Sequence, residues 1–235
     1  MSVSFDADAV EIELPGGACA LFTTRSSGNL SLAAGRDHEH GLQMRDRLCG
    51  ELALDWLCAS PQVHGDRVLT HTQIAHRGGQ PVAASADGHA TALHGVGVMV
   101  LAADCVPVVL ERPGAVATVH AGWRGLAAGV LERGVDALRD LVPAGEVVAV
   151  IGPCAGRCCY EVGVEVLRAL ELPAPADGGE KALLDLRAVA RTRLLASGVD
   201  RVLDVDLCTI CEQRLFSHRR EGADAGRQAA VAWLP

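Results

Sequence analysis

The chain has 235 residues, of which 49% are hydrophobic and 21% are charged. This composition is typical of a globular protein with one large core, and it excludes a chain that stays disordered for lack of apolar side chains. The formal net charge is −8 and the basic residues are scattered, so no patch for a nucleic acid backbone is predicted. We expect one domain, over residues 1–235.

The N-terminal residues, the apolar runs and the cysteine count indicate in which cellular compartment the protein is found. The first residues carry acidic side chains where a signal peptide needs a basic segment and an apolar run. The longest apolar run, residues 95–110, contains Asp104 and is shorter than the ~18 apolar residues of a membrane span. Nine cysteines are an odd count, which favours free thiols or metal ligands over a disulfide framework. We therefore predict a cytoplasmic protein with no membrane partner.

The first half of the chain predicts short strands, one helix and long loops. Residues 18–24 have the pattern of a strand, and apolar positions recur at helical spacing over residues 42–54. Between residues 59 and 88, Ser, Pro, Gly, Gln and His dominate, which favours short strands joined by surface loops. Loops of this kind commonly carry functional side chains.

The second half alternates predicted strands and helices. The apolar runs 96–110 and 115–119 are typical of neighbouring buried strands, joined at the turn Arg112-Pro113-Gly114. A glycine-containing turn at residues 120–125 leads into an amphipathic helix over residues 126–141. The later predicted elements are a strand, two helices, a strand and a short apolar segment, at residues 147–151, 160–170, 182–195, 199–207 and 229–234.

Three potential metal ligands stand at predicted strand ends or beside glycines. His64 precedes Gly65, His120 begins the turn after a strand, and Cys105 follows Asp104 within an apolar run. Two imidazoles and one thiolate are a good ligand set for zinc, and three protein ligands leave a fourth position open for catalysis. Each residue alone is more simply interpreted as structural, so the prediction depends on the three lying together. A carboxylate inside a buried strand also needs a role, and we assign proton transfer to Asp104 or a neighbouring imidazole.

Several ordered blocks of the sequence resemble a known family. The blocks are residues 62–65 (Gln-Val-His-Gly), 103–108 (Ala-Asp-Cys-Val-Pro-Val), 120–125 (His-Ala-Gly-Trp-Arg-Gly), 151–153 with 158–162, and 208–209 with 216–220. Together they resemble the signature blocks of the laccase-domain family. Its members are also called polyphenol-oxidase-like proteins, purine nucleoside phosphorylases or peptidoglycan editing factors.

The resemblance implies a fold, a metal site and an activity. The fold is α/β, with mixed β-sheets layered with helices in an α-β-β-α-like sandwich. The metal is zinc, held by His64, Cys105 and His120. The activity is phosphorolysis of adenosine, inosine, guanosine and methylthioadenosine, with inorganic phosphate as co-substrate and adenosine deamination beside it.

The early block Phe-Thr-Thr-Arg ends at Arg25, which becomes a candidate phosphate contact because its planar fork suits phosphate oxygens. The segment that follows, residues 26–35, departs from the family pattern and bears on substrate preference.

Two other enzymes remain as alternatives. A Cys105 thiolate paired with His120 or His64 would give a metal-free amide hydrolase, which suits editing of peptidoglycan precursors. A copper-dependent polyphenol oxidase is less favoured, because the chain has only three methionines and paired His-x-His motifs do not recur across several segments.

A non-enzymatic binding module with structural zinc is a fourth interpretation. Its ligands would come from Cys154, Cys158 and Cys159 and from the Cys-x-x-Cys pair Cys208 and Cys211. Because only one Cys-x-x-Cys pair is present, we predict instead that these thiols are buried or lie near the wall of the active site.

Overall fold

The computed structural model describes residues 3–5, 9–33, 38–74, 82, 84–176 and 178–235. Its strands are β1 (Val3–Phe5), β2 (Ala9–Glu13), β3 (Cys19–Thr23), β4 (Trp56–Cys58), β5 (Val68–His71), β6 (Gly88–Thr91), β7 (Val96–Ala102), β8 (Val106–Arg112), β9 (Ala115–Ala121), β10 (Val148–Ile151), β11 (Glu161–Gly163), β12 (Lys181–Leu183), β13 (Arg201–Asp204) and β14 (Gln228–Trp233). Its helices are α1 (His38–Glu51), α2 (Trp123–Ala128), α3 (Val130–Leu141), α4 (Val164–Ala169), α5 (Leu186–Ala196) and α6 (His218–Glu221).

Two six-stranded mixed sheets form the centre of the fold. The hydrogen-bonded order is β1-β2-β3-β14-β7-β4 in the first sheet and β13-β10-β8-β9-β6-β5 in the second. The small third sheet pairs β11 with β12. Most neighbours are antiparallel, while β4 with β7, β5 with β6 and β10 with β13 are parallel. The C-terminal strand β14 lies inside the first sheet, between β3 and β7.

The two sheets pack face to face and helices cover both outer faces. Alternate residues of β7 face different layers, because successive side chains of a strand point to opposite faces. Val98 and Val100 join the apolar layer between the sheets, whereas Met99 packs in the layer that contains Leu48 of α1. On the far side, apolar residues of α3 and α5 pack with β8 and β9 in the largest apolar cluster. The predicted α-β-β-α-like sandwich is therefore confirmed.

The chain crosses between the sheets just after β7. Strand β7 belongs to the first sheet and β8 to the second, and residues 103–105 connect them. The prediction that Asp104 and Cys105 lie inside a buried strand is therefore wrong. Asp104 is in a turn with a φ of 92°, a left-handed conformation that aspartate tolerates better than most residues. The polar pair interrupts the apolar run because the strand ends there.

Two further predictions needed correction. The helix predicted over residues 126–141 is two helices, α2 and α3, which meet at Gly129 with a φ of 89°. The helices predicted from residues 160 and 182 begin later, because β11 and β12 first pair with one another. This pairing outweighs the local helical pattern, as tertiary contacts often do. The hairpin between β8 and β9 is confirmed, with Arg112 opposite Ala115.

Among the described residues, no helix has both the length and the apolar character needed to cross a membrane.

Candidate active site

A cavity of about 670 Å³ lies beside the crossing between the two sheets. Its wall combines the end of β7, the crossing turn, the end of β9, the start of α2 and the C-terminal segment. The lining residues are Ser31, Leu32, Ala33, Arg45, Pro61, Gln62, His64, Leu101, Ala102, Ala103, Asp104, Cys105, His120, Trp123, Arg124, Tyr160, His218, Arg219 and Arg227.

The three predicted ligands meet in this cavity. The ligand atoms of His64, Cys105 and His120 all lie within 4.8 Å of one another. The two imidazole rings are arranged edge to face, with their centroids 4.8 Å apart. His120 is buried, Cys105 is half-buried and His64 is exposed. The structure therefore brings together the residues predicted as the metal site, and their role as ligands stays a prediction.

The loop that carries His64 is fixed by Gln62. The Gln62 side chain accepts a hydrogen bond from the Leu101 N–H (2.7 Å) and donates one to the Leu101 carbonyl (2.8 Å). The amide thus pairs with the end of β7 as a neighbouring strand would. His64 then adopts a left-handed conformation with a φ of 61°. This turn lets the imidazole approach the other two predicted ligands, Cys105 and His120.

Asp87, directly before β6, holds two of the predicted ligands in position. It is fully buried, and its carboxylate accepts a 2.8 Å hydrogen bond from Nδ1 of His120. It also accepts hydrogen bonds from the backbone N–H groups of Val63 (3.1 Å), His64 (2.8 Å) and Gly65 (2.8 Å). A carboxylate on one ring nitrogen leaves the other, Nε2, available for a metal. Sequence reasoning missed Asp87, because its role depends on the loop of residues 63–65 and the end of β9 meeting it, which local sequence does not show.

Asp87, Cys105 and His120 shift one another's pKa values towards the charged forms. Burial alone would raise the pKa of Asp87, but the hydrogen bonds from His120 and from the backbone lower it. Burial would also raise the pKa of the Cys105 thiol, yet His120 and His64 outweigh burial and lower it. For His120, burial lowers the pKa, whereas Cys105 and Asp87 raise it above the usual value. The Cys105 thiolate is thereby favoured, and the thiolate is the form that binds metals or attacks carbonyl groups.

Glycine is required at position 122, where the chain leaving β9 passes Cys105 and His64. A Cβ atom at this position would lie 3.0 Å from Sγ of Cys105 and 3.0 Å from Cδ2 of His64. Both contacts are tighter than side chains normally accept. Only glycine lets the backbone approach the two ligands this closely.

We expect Gly122→Ala to lower catalytic activity roughly 10- to 100-fold, because small displacements of positioned groups have effects of this size. The matched control is Gly50→Ala, since a Cβ there meets no atom within 4 Å. That helical substitution should keep full activity and add about 0.5–1 kcal/mol of stability. Steady-state kinetics and thermal unfolding of both variants test this, and equal activities would contradict the close fit at Gly122.

Both carboxylate oxygens of Asp104 accept short hydrogen bonds. Its Oδ1 accepts a 2.6 Å hydrogen bond from the Thr209 hydroxyl, and its Oδ2 accepts a 2.6 Å bond from the backbone N–H of Arg219. Both oxygens are thus used to join the crossing turn to the C-terminal segment. The structure places Asp104 in the cavity wall, where these bonds position Cys105.

Four arginines line the cavity in a chain that is acidic overall. Arg45 is buried, and burial lowers its pKa to about 10, so it remains charged at neutral pH. Arg124 lies over the Trp123 ring at 4.1 Å, and Arg219 lies over the Tyr160 ring at 5.0 Å. Arg227 is half-buried. Guanidinium groups favour phosphate and aromatic rings favour flat bases, so the cavity suits a ligand that has both.

Arg25, predicted as a phosphate contact, is not among the lining residues. Its guanidinium forms an ion pair with Glu221 and donates a 3.0 Å hydrogen bond to the Leu215 carbonyl. It also lies over the Phe216 ring, 4.6 Å from the centroid. The structure thus uses Arg25 to hold the C-terminal segment, because a half-buried guanidinium is satisfied by the nearest carboxylate.

A second group of potential ligands lies outside the cavity. The thiol sulfurs of Cys158, Cys159, Cys208 and Cys211 are all within 4.8 Å of one another. Cys158 and Cys211 are exposed, so they are not buried as one part of the prediction held. None of the four thiols is among the described lining residues of the cavity. Cys154 is buried and lies outside the group.

The chain belongs to the laccase-domain family: residues 16–235 match the family model described as "multi-copper polyphenol oxidoreductase laccase". Among the curated relatives, a purine nucleoside phosphorylase of Xylella fastidiosa (strain Temecula1) is 38% identical over 94% of this chain and 88% of its own length. The purine nucleoside phosphorylase YfiH of Escherichia coli (strain K12) is 36% identical over 94% of this chain and 95% of its own length. The family predicted from the sequence blocks is therefore confirmed.

Solved structures agree in fold. YlmD from Geobacillus stearothermophilus superposes with a TM-score of 0.86 at 30% identity, covering 99% of this chain and 98% of that one. The YfiH protein of Bacillus licheniformis gives a TM-score of 0.84 at 28% identity, covering 99% of both chains.

Proposed function

We propose that this chain is a zinc-dependent purine nucleoside phosphorylase. The relatives that carry the name purine nucleoside phosphorylase support a nucleoside-processing enzyme. The observation that carries the proposal is the cavity itself, which joins a His-Cys-His ligand set to four guanidinium groups and two aromatic rings. The guanidinium groups suit phosphate, and the aromatic rings suit the flat base of a purine nucleoside.

The donor set of His64, Cys105 and His120 fits zinc. Its three ligand atoms are within 4.8 Å of one another, and Asp87 already orients the His120 ring. Blue-copper centres also use two histidines and a cysteine, with a long axial methionine, glutamine or backbone oxygen. The glutamine of the described lining, Gln62, has its side-chain oxygen and nitrogen bonded to Leu101. None of the described residues that line the cavity is a methionine. When bound, zinc would supply Lewis-acid chemistry, polarising an oxygen of phosphate or substrate.

The chain's own residues would bind and orient the two substrates. The guanidinium groups of Arg45, Arg219 and Arg227 each donate to a backbone carbonyl. Arg124 has no hydrogen-bond or ion-pair partner among the described residues, so it is the natural phosphate contact. Trp123 and Tyr160 would stack on the purine. A phosphate oxygen then attacks C1′ of the ribose, the bond from C1′ to the base breaks, and the base leaves with the bonding electrons. A phosphate contact by Arg25, expected from the family block, would require its guanidinium to leave Glu221.

The departing base needs a proton. Of the imidazoles that line the described cavity, His218 alone lies outside the ligand set. We assign it to protonate the leaving base, because Asp104 already accepts two hydrogen bonds. Phosphorolysis would then yield the free base and ribose 1-phosphate.

The expected substrates are adenosine, inosine, guanosine and methylthioadenosine, and adenosine deamination would share the same metal. Ser31, Leu32 and Ala33 line the cavity and belong to the segment that departs from the family pattern. Preference among the nucleosides would therefore be set partly by these residues. A screen of the four nucleosides with and without phosphate, with metal analysis on the same preparation, tests the proposal. Base release that does not depend on phosphate would contradict phosphorolysis.

We expect Arg124→Gln to raise the KM for phosphate about 10- to 100-fold, the effect of losing a charge-assisted hydrogen bond. The turnover number and the KM for inosine should change much less. The matched control is Arg214→Gln, whose guanidinium is exposed and pairs with Glu212 away from the cavity. An unchanged phosphate KM in Arg124→Gln would remove Arg124 from the phosphate site.

A metal-free Cys-His amide hydrolase is the second candidate, favoured by the lowered pKa of Cys105 beside His120. It would act on peptidoglycan precursors. Chelation separates the two candidates. The phosphorylase should lose its activity with the metal and regain it with zinc, whereas a thiol hydrolase should stay active after chelation and be inactivated by alkylation.

A further inference from the structure

Two loops bring four thiols together outside the lining of the cavity. Cys158 and Cys159 lie just before β11, and Cys208 and Cys211 lie between β13 and α6. The sulfur of Cys211 is 3.2 Å from that of Cys159 and 3.6 Å from that of Cys158. None of the four is in a disulfide. Tetrahedral zinc with sulfur ligands at about 2.3 Å places the sulfurs about 3.8 Å apart, so the observed spacing is close to that of a four-thiolate site.

The backbone fixes this arrangement. Cys154 and Cys208 form a parallel bridge, in which Thr209 N–H donates to the Cys154 carbonyl (3.0 Å) and Cys154 N–H donates to the Leu207 carbonyl (3.2 Å). The two loops are therefore held side by side by main-chain hydrogen bonds. The four thiols are brought together by the fold rather than by chance rotation of side chains.

The Cys208 sulfur also accepts several backbone hydrogen bonds. The N–H of Gly156 donates to it at 3.2 Å, and the N–H groups of Ile210 and Cys211 point to the same sulfur. Donors two and three residues after a cysteine stabilise a thiolate, and such outer partners orient metal ligands. A Cβ on Gly156 would lie 3.3 Å from this sulfur and 3.2 Å from that of Cys158, so glycine lets the loop enclose the site.

We propose that Cys158, Cys159, Cys208 and Cys211 form a second metal site that binds one structural zinc ion. Four sulfur ligands leave no open position, as in zinc sites that support folding rather than catalysis. Sequence spacing alone did not predict it, because one ligand pair is adjacent in the chain rather than in a Cys-x-x-Cys motif.

The site would secure two segments that border the cavity. Tyr160 follows Cys159 directly and lines the cavity. Thr209 follows Cys208, and its hydroxyl donates to Asp104 in the crossing turn. An ion shared by the two loops would therefore fix a cavity wall and the partner of Asp104. The inference concerns different residues from the proposed catalytic site and does not depend on the phosphorylase activity.

The test compares the metal content of full-length variants purified under reducing conditions. The double variant Cys208→Ser, Cys211→Ser should contain one zinc ion fewer per chain than the wild type, and its thermal midpoint should fall by about 5–10 °C. The control Cys19→Ser, at a half-buried thiol in β3, should keep the full metal content. Equal zinc in the double variant and the wild type would overturn the proposal.

Two more measurements keep the test independent of folding and of the catalytic centre. Cobalt added to metal-free Cys105→Ala should give the intense sulfur-to-cobalt absorption of a four-thiolate site, and its absence would overturn the proposal. Peptide mapping of native wild type after alkylation without reductant should show the four thiols protected until a chelator is added. A disulfide between Cys159 and Cys211 in that map would also overturn it.

Discussion

Cys105→Ala is expected to lower phosphate-dependent hypoxanthine release from inosine by about 10³-fold, since removing a ligand removes several kcal/mol of metal-derived stabilisation. The sulfur is one of three ligand atoms within 4.8 Å of one another, so the cavity would also lose its metal. Steady-state kinetics and metal analysis of the same sample measure both effects.

Cys49→Ala is the control for the loss of a thiol. Cys49 is a free cysteine in α1, outside both groups of potential ligands. Its variant should keep activity and metal, with a loss only of stability. Undiminished hypoxanthine release by Cys105→Ala would remove this residue from the reaction.

Asp87→Asn is expected to weaken metal binding and activity about 10- to 100-fold, the usual effect of losing the carboxylate behind a ligating histidine. The amide keeps the size of the side chain but cannot accept hydrogen bonds on both ends. One of the four donors that now meet the carboxylate would therefore lose its partner. Asp87 acts as a positioning residue, because it acts through His120 and the His64 loop.

The readout that separates positioning from simple stability is zinc affinity measured with a competing chelator. Asp66→Asn is the matched control, because Asp66 is in the same loop but only half-buried, with its carboxylate 3.7 Å from Arg133. It should bind zinc as the wild type does. If Asp87→Asn also binds zinc normally while only its thermal midpoint falls, Asp87 is structural and does not tune the metal.

Much of the fold could be predicted from local pattern. The strand before Arg25 and the strands β8 and β9 are apolar runs that are almost wholly buried, and α3 buries its apolar face. A helix predicted over residues 42–54 is present as α1, although it begins and ends earlier in the chain. What local pattern could not show is where a strand changes sheet. The run from residue 96 to 110 is apolar on both sides of Asp104, so only the tertiary structure reveals that β7 and β8 lie in different sheets.

The candidate site likewise contains residues that the sequence predicts and residues that only the tertiary structure reveals. His64, Cys105 and His120 could be predicted because they are ligand types in recognisable blocks at strand ends. Asp87 and the arginines could not, because their roles depend on which loops meet. Arg25 pairs with Glu221, 196 residues away in the chain, while Arg124 and Arg227 reach the cavity from separate segments. The four surface thiols were underestimated for the same reason, since their ligand pairs come from loops about 50 residues apart and the pairing of those loops is tertiary.

The most direct test of a zinc centre at His64, Cys105 and His120 is an anomalous difference map. It should be collected at the zinc absorption edge, on crystals of a preparation that releases hypoxanthine from inosine only when phosphate is present. We predict a strong peak about 2.0–2.3 Å from Nε2 of His120 and from Sγ of Cys105. An active preparation whose map has no peak among these three residues would contradict the account.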